Sequence, residues 1–189
     1  MPNRYIARGS ASNDPSRFLH HQVILEEENG TIDEKLLNSV NVRTKFYPDK
    51  TKTILTRNQS PDIGFSTSIN PYKGCEHGCV YCFARPTHAY LDLSPGIDFE
   101  SRIFYKPNAA ELLQQELDKN SYVCTPIALG TNTDPYQPGE KKLKVTRQLL
   151  TVLFDRRHPL TIVTKSTLIE RDLDLLIELA QHNLVSVNI

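Results

Sequence analysis

The sequence has no excess of charge of either sign: 22 Lys and Arg stand against 22 Asp and Glu in 189 residues. Proteins that coat nucleic acid or anionic membrane rely on a large surplus of Lys and Arg, so the balance argues against such a role for the surface as a whole. No run of about 18 apolar residues is present, which excludes an ordinary membrane-spanning helix. The opening residues Met1-Pro2-Asn3-Arg4-Tyr5 lack the charged-then-apolar layout of a secretory signal. These absences predict a cytoplasmic chain with no membrane partner. In a reducing compartment its 4 cysteines are expected to work as thiols rather than as disulfides.

Residues 1–60 are polar and weakly periodic. Arg8 and the residues up to Pro15 have loop composition, and Glu26-Glu27-Glu28 is acidic. Only Val23-Ile24-Leu25 and Thr53-Ile54-Leu55 read as short strands. The expectation is an N-terminal extension, partly disordered or draped over a core formed by residues 61–189.

From residue 61 the pattern becomes strands alternating with amphipathic helices. Strands are expected at 63–69, 98–105, 123–130, 160–164 and 184–189. Asn108 with Glu111 reads as the start of one helix, carrying Leu112, Leu113 and Leu117 on a face. Residues 143–156 read as a second, with Val145, Leu149, Val152 and Leu153 inward. Thr167 with Glu170 reads as a capping box opening a third, with Leu173, Leu176, Ile177 and Ala180 inward. Such alternation implies an α/β fold of parallel βα units covered on both sheet faces. Chemistry in these sheets collects at the carboxyl ends of strands, which singles out residues 72–82, 131–138, 165–166 and the final strand.

The first of these stretches holds Cys75-Glu76-His77-Gly78-Cys79-Val80-Tyr81-Cys82, a C-x3-C-x2-C run. Thiolates are soft ligands suited to iron-sulfur clusters and zinc, and three from one short loop must wrap a compact centre. Gly74 and Gly78 supply backbone freedom for the wrap. Three Cys on a 4Fe-4S cluster leave one iron open, and an open metal position marks chemistry rather than scaffolding. Zinc completed by His77 or Cys124 is the alternative, although the spacing is not the paired C-x2-C layout of zinc ribbons. Cys124, after Val123, reads as a small core residue.

The C-x3-C-x2-C run with Tyr81 before its third Cys, following the first strand of a βα series, resembles the radical S-adenosylmethionine (radical SAM) superfamily. Around it, residues 81–88, 96–100, 130–138 and Thr164-Lys165-Ser166 resemble the proteins related to spore photoproduct lyase, the DNA-repair-photolyase-like group. The resemblance implies a partial (β/α) barrel and a 4Fe-4S cluster on Cys75, Cys79 and Cys82. It implies SAM held beside the cluster and cleaved reductively to start radical chemistry. It also implies a reductant such as flavodoxin or ferredoxin, and a substrate for which nucleic acid is one option. Tyr81 and Phe83 would flank SAM, Thr133 would lie near its methionyl end, Lys165 would meet its carboxylate and Ser186 its ribose.

Each of these residues has a plainer reading as well. Thr133-Asp134-Pro135 also suits a turn in which Asp134 bonds the backbone, or Asp134 could hold substrate. Lys165 also suits a solvated loop, and Ser166 or Thr167 a helix cap. His88 reads as a surface or packing histidine rather than a proton donor. Arg85 reads as a partner for a substrate phosphate or for an acid. Spore photoproduct lyases carry a hydrogen-donating Cys immediately before the Thr/Ser-Asp pair, and Asn132 stands there, so thymine photodimer repair does not follow from the resemblance. After the extension about 130 residues remain, against about 250 for a full (β/α)8 barrel. The chain therefore reads as the first half of a barrel, ending after about four strands with the last as an uncovered edge; a non-catalytic zinc- or cluster-binding module is the alternative from another class.

Overall fold

Residues 8–14 and 43–189 are described in a computed structural model of the chain. Val23-Ile24-Leu25 lies outside the described residues. Two compact units are present, one formed by the described residues up to Phe46 with Lys73–Ile103, the other by Tyr47–Tyr72 with Phe104–Ile189. Among the described residues the strands are β1 (Lys45–Pro48), β2 (Thr56–Arg57), β3 (Thr67–Ile69), β4 (Tyr72–Lys73), β5 (Arg102–Tyr105), β6 (Ile127–Leu129), β7 (Leu160–Val163) and β8 (Val185–Asn188). Strands β1, β5 and β4 form a small sheet in that order, and the division between units falls inside these three strands.

The larger unit carries the five-stranded sheet β2-β3-β6-β7-β8. Strand β2 is antiparallel to β3, and β3, β6, β7 and β8 are mutually parallel. Helices α2 (Ala109–Leu117), α3 (Glu140–Leu143), α4 (Val145–Asp155) and α5 (Leu173–Gln181) fill the connections. Helix α2 packs on α4. The expected inner stripe of α4 is observed: Val145, Leu149, Val152 and Leu153 are buried, joined by Leu150. Each such leucine contributes about 1.5–3 kcal/mol of burial. The α/β class with parallel strands follows the expectation.

Several boundaries differ from the sequence pattern for identifiable reasons. The strand expected at 123–130 begins only at Ile127, because Pro126 has no N–H to give a ladder and residues 119–122 turn through the Tyr122 N–H to the Lys119 carbonyl. Val123 and Cys124 are therefore exposed, and Cys124 is not a core residue. The strand expected at 63–69 shortens to β3, because Asn58 holds Ser66 and Phe65 in a loop through its N–H and its side-chain amide. The strand expected at 98–105 divides into α1 (Ile97–Ser101) and β5. The first N–H groups of α1 go to partners far away in sequence, Ile97 to the Ser12 carbonyl and Asp98 to Asn13 Oδ1, which residue alternation cannot reveal.

The helix expected at 143–156 breaks at Lys144, where φ is 54°. The break has a cause: the Glu140 carboxylate accepts the N–H groups of Thr146 (3.0 Å) and Arg147 (3.2 Å) and so caps α4 afresh. Asn108 flanks α2 without a side-chain cap. Ser166, not Thr167, caps the following 3-10 helix Thr167–Asp172. In α5 the buried residues are Leu176 and Leu179, whereas Leu173, Ile177 and Ala180 are exposed. Strand β8 lies at the sheet edge and is largely exposed rather than buried.

Candidate functional site

In the smaller unit the cysteine loop follows β4. Gly74 and Gly78 have φ of 80° and 62°, in the left-handed region open to glycine. Both are also hemmed in: a Cβ on Gly74 would lie 2.8 Å from His88 Cε1 and from the Phe99 carbonyl oxygen, and one on Gly78 would lie 2.6 Å from Arg8 Cβ. The Cys75 N–H donates to the Phe99 carbonyl (2.9 Å) and the Cys82 N–H to that of Cys79 (3.2 Å). Cys75 is buried, Cys79 and Cys82 are half-buried, and Cys82 packs against Cys75, Ala84 and Phe99. None of the four cysteines is in a disulfide.

The donor set fits an iron-sulfur cluster by its chemistry, with three soft thiols on one glycine-turned loop. Among the described residues no three His, Cys, Asp or Glu side chains are already gathered around a metal position. Tyr81 and Phe83 project from the same loop, 82% and 75% exposed.

Arg85 is committed to protein partners. Its Nε donates to the Cys79 carbonyl (3.0 Å), its Nη1 to those of Pro95 and Gly96, and its Nη2 pairs with the buried carboxylate of Glu100. Of the two readings for Arg85, the structure shows the acid partner. His88 is buried, and its Nε2–H donates to the Arg102 carbonyl (3.0 Å), since a carbonyl can only accept. Burial lowers its pKa from the usual 6.5 and so favours the neutral ring, which packs edge-on to Phe99.

In the larger unit, side chains at the strand ends join the loops. Asn70, just after β3, accepts the Asn132 N–H (2.8 Å) on Oδ1 and donates to Thr131 Oγ1 (3.1 Å). Thr133 is buried and its hydroxyl donates to the Tyr72 carbonyl (3.0 Å). Asp134 accepts the Tyr136 N–H (2.8 Å) and the Thr164 hydroxyl (2.7 Å) on Oδ1, and the Lys165 N–H (3.0 Å) on Oδ2. The turn read from Thr133-Asp134-Pro135 is present, and the same carboxylate ties it to the end of β7. The Lys165 side chain is exposed. At Gly130, φ is 86° and a Cβ would meet Pro135 Cδ at 2.5 Å, so this loop closes only on glycine.

The register places Ser186 in a row. Ser68 pairs with Ala128, Ala128 with Thr161 and Thr161 with Ser186. Side chains alternate along strands, so this small, partly polar row points away from the face bearing Ile69, Leu129, Ile162 and Val187. A cavity of about 460 Å³ opens on that second face, lined by Leu173, Leu176, Ile177, Val185, Val187 and Ile189 and also by Lys165, with Ser186 not among its lining residues. Its apolar walls belong to the helix-packing side of the sheet. Sequence reasoning missed Ser68, Ala128 and Thr161; aligning the strands by their apolar residues would have found them.

Beneath the loops lies a charged cluster that periodicity did not disclose. Glu140 is fully buried and accepts from the Tyr72 hydroxyl and from Arg171 Nη2 (2.8 Å) as well as from the start of α4. Asp172, equally buried, pairs with Arg171 (2.7 Å) and Arg147 (3.1 Å). Burial, with the Glu140 charge next, raises the Tyr72 pKa well above its usual value.

The model of the radical SAM superfamily matches residues 69–189. An uncharacterized protein of Mycobacterium tuberculosis and one of Mycobacterium bovis are each 46% identical over 125 residues, covering 66% of this chain and 37% of the relative. An uncharacterized protein of Methanocaldococcus jannaschii is 36% identical over 107 residues, covering 57% of this chain and 38% of the relative. The chain thus spans well under half the length of these curated relatives. No solved structure matches, and among the described residues no helix is long and apolar enough to cross a membrane.

Proposed function

The chain belongs to the radical SAM superfamily, and from that premise we propose that it holds a 4Fe-4S cluster on Cys75, Cys79 and Cys82 and uses SAM to start radical chemistry. The observation that carries the reading is three thiols at C-x3-C-x2-C, none in a disulfide, on a loop turned by two left-handed glycines. When bound, the cluster supplies the electron that cleaves the SAM sulfonium.

The chain's own residues bind and orient. The exposed rings of Tyr81 and Phe83 offer apolar surface to the nucleoside, and the Lys165 ammonium offers a point charge to a carboxylate. The Ser186 hydroxyl, in the row of small side chains, offers a partner to a ribose. Thr133 acts by fixing its loop to the Tyr72 carbonyl. A one-electron donor such as flavodoxin or ferredoxin would supply the reducing equivalent. The kinship proposed with the spore-photoproduct-lyase-related group concerns architecture: Asn132, which cannot donate a hydrogen atom as a thiol can, stands where those lyases carry Cys.

The test is anaerobic reconstitution with iron and sulfide, followed by dithionite reduction with SAM. Release of 5'-deoxyadenosine is expected, with cluster formation lost in Cys79→Ala. Binding of zinc with no iron uptake would overturn the proposal.

A further inference from the structure

We infer that residues 8–14 form a strap that positions the cysteine loop, with Arg8 and Gly9 as its positioning residues; this rests on the reading of that loop as the cluster site. The segment lies outside the region matched to the family, yet it packs along the loop and the chain that supports it. The Gly9 N–H donates to Glu100 Oε2 (3.0 Å). The other oxygen of that buried carboxylate holds Arg85, which in turn holds the Cys79 carbonyl. Arg8 Nη1 donates to the Glu100 carbonyl (2.9 Å), and its Nη2 pairs with Glu76 (3.3 Å), the residue directly after Cys75. Further along, the Ser12 carbonyl and Asn13 Oδ1 accept the first N–H groups of α1, and the Asp14 carbonyl accepts the Ser94 hydroxyl. Helix α1 carries Phe99, whose carbonyl holds the Cys75 N–H.

Steric fit points the same way, independently of the hydrogen bonds. Three glycines lie on the seam between strap and loop. A Cβ on Gly9 would lie 1.6 Å from the Gly78 carbonyl oxygen, one on Gly78 would lie 2.6 Å from Arg8 Cβ, and one on Gly96 would lie 2.2 Å from the Ser12 carbonyl oxygen. Backbone runs against backbone with no room for a methyl group. A loop with two left-handed glycines has much conformational freedom to lose on ordering. The strap removes that freedom before any cluster arrives, keeping Cys75 buried and the Cys79 carbonyl fixed.

The experiment measures alkylation of Cys75 in the metal-free chain, by mass spectrometry, alongside iron retained after reconstitution. Arg8→Ala, Gly9→Ala and Arg8→Lys are compared with wild type and with Gly64→Ala, a control at a glycine with nothing near its Cβ position. In Arg8→Ala and Gly9→Ala, Cys75 is expected to react about tenfold faster, equal to about 1.4 kcal/mol of easier local opening, with less iron retained. Arg8→Lys, which keeps the charge but offers one donor nitrogen in place of the two that reach the Glu100 carbonyl and Glu76, is expected between them and wild type. Should Gly9→Ala fail to fold, Arg8→Ala decides. Cys75 reactivity within about twofold of wild type in Arg8→Ala would overturn the strap. The alkylation readout needs no metal, so a wild-type chain that takes up no iron sinks the proposed function while the strap is still decided by Cys75.

Discussion

Replacing Glu140 with Ala tests how the strand-end loops of the larger unit are held. The side chain is fully buried, and its carboxylate accepts from the Tyr72 hydroxyl, the N–H groups of Thr146 and Arg147, and Arg171. Alanine orphans the Tyr72 hydroxyl, at about 1–3 kcal/mol. It removes the cap of α4, at about 1 kcal/mol, and takes one of two carboxylate partners from the half-buried Arg171 guanidinium, a charge-assisted bond of about 1.5–3 kcal/mol. Arg171 retains Asp172, so these costs overlap and the total is set at about 3–5 kcal/mol. Against a typical stability of about 5–15 kcal/mol, that brings the variant close to unfolding. A thermal melt followed by far-UV circular dichroism should show the midpoint falling by about 6–20 °C. Glu140→Gln, which keeps one acceptor but turns an amide donor toward other donors, should fall in between. Glu140→Met combined with Arg171→Met should lose less than the two single changes added together, because it leaves neither charge of that pair buried alone. A midpoint for Glu140→Ala within about 3 °C of wild type would refute the view that this carboxylate holds the loops.

Acid should weaken the fold in a definite window. Burial lowers the pKa of both His88 and His158 below the usual 6.5, so below that pH the unfolded chain binds protons that the folded chain refuses. Stability should be level above about pH 6.5 and fall below it, by up to about 1.4 kcal/mol per pH unit for each histidine until its folded pKa is reached; melts from pH 7.5 down to about 5.5 check this, and a flat profile contradicts it. His158 also fixes its own tautomer, since Nδ1 faces the Pro159 carbonyl (2.9 Å) and Nε2 must therefore accept from the Tyr122 hydroxyl (2.6 Å); His158→Gln should flatten part of the acid loss. On the surface, Arg147 holds the Asp174 carboxyl down to about 2. In Arg147→Ala its titration, followed by NMR, should return toward 3.8, and no movement would separate the two residues.

How much could be read in advance depends on how far each partner lies along the chain. The cysteine spacing is local, so the C-x3-C-x2-C run of Cys75, Cys79 and Cys82 can be read from the sequence as a candidate ligand set. The inner stripe of α4 was legible because its period of 3.6 repeats over three turns. Strands β3 and β6 are shorter than the apolar pattern implies, since the Asn58 loop and Pro126 trim them without altering that pattern, and β7 ends one residue early at Val163. Helix α1 was mistaken for strand because its first N–H groups are satisfied by Ser12 and Asn13, more than eighty residues away. The Ser68-Ala128-Thr161-Ser186 row is not local and emerges only once the strands are aligned on their apolar residues, which is what the register does.

The two units arrive at the same construction from different residues. In each, a buried glutamate accepts from both an arginine and the backbone: Glu100 from Arg85 and the Gly9 N–H, Glu140 from Arg171 and the N–H groups of Thr146 and Arg147. A buried carboxylate with too few donors would be costly. Backbone donors and a guanidinium fork together satisfy its lone pairs and, in the same act, fix chain segments that would otherwise be free. The side chains proposed to meet SAM stand outside these braces: Tyr81, Phe83, Lys165 and Ser186 are exposed, whereas Thr133 is buried and fixes its loop. Side chains left exposed for a ligand cannot also anchor the backbone that presents them, so the anchoring falls to acids and bases some distance away in sequence. That division of labour explains why a short motif announces the chemistry while Arg8, Glu100, Glu140 and Arg171, which hold the loops in place, carry no motif.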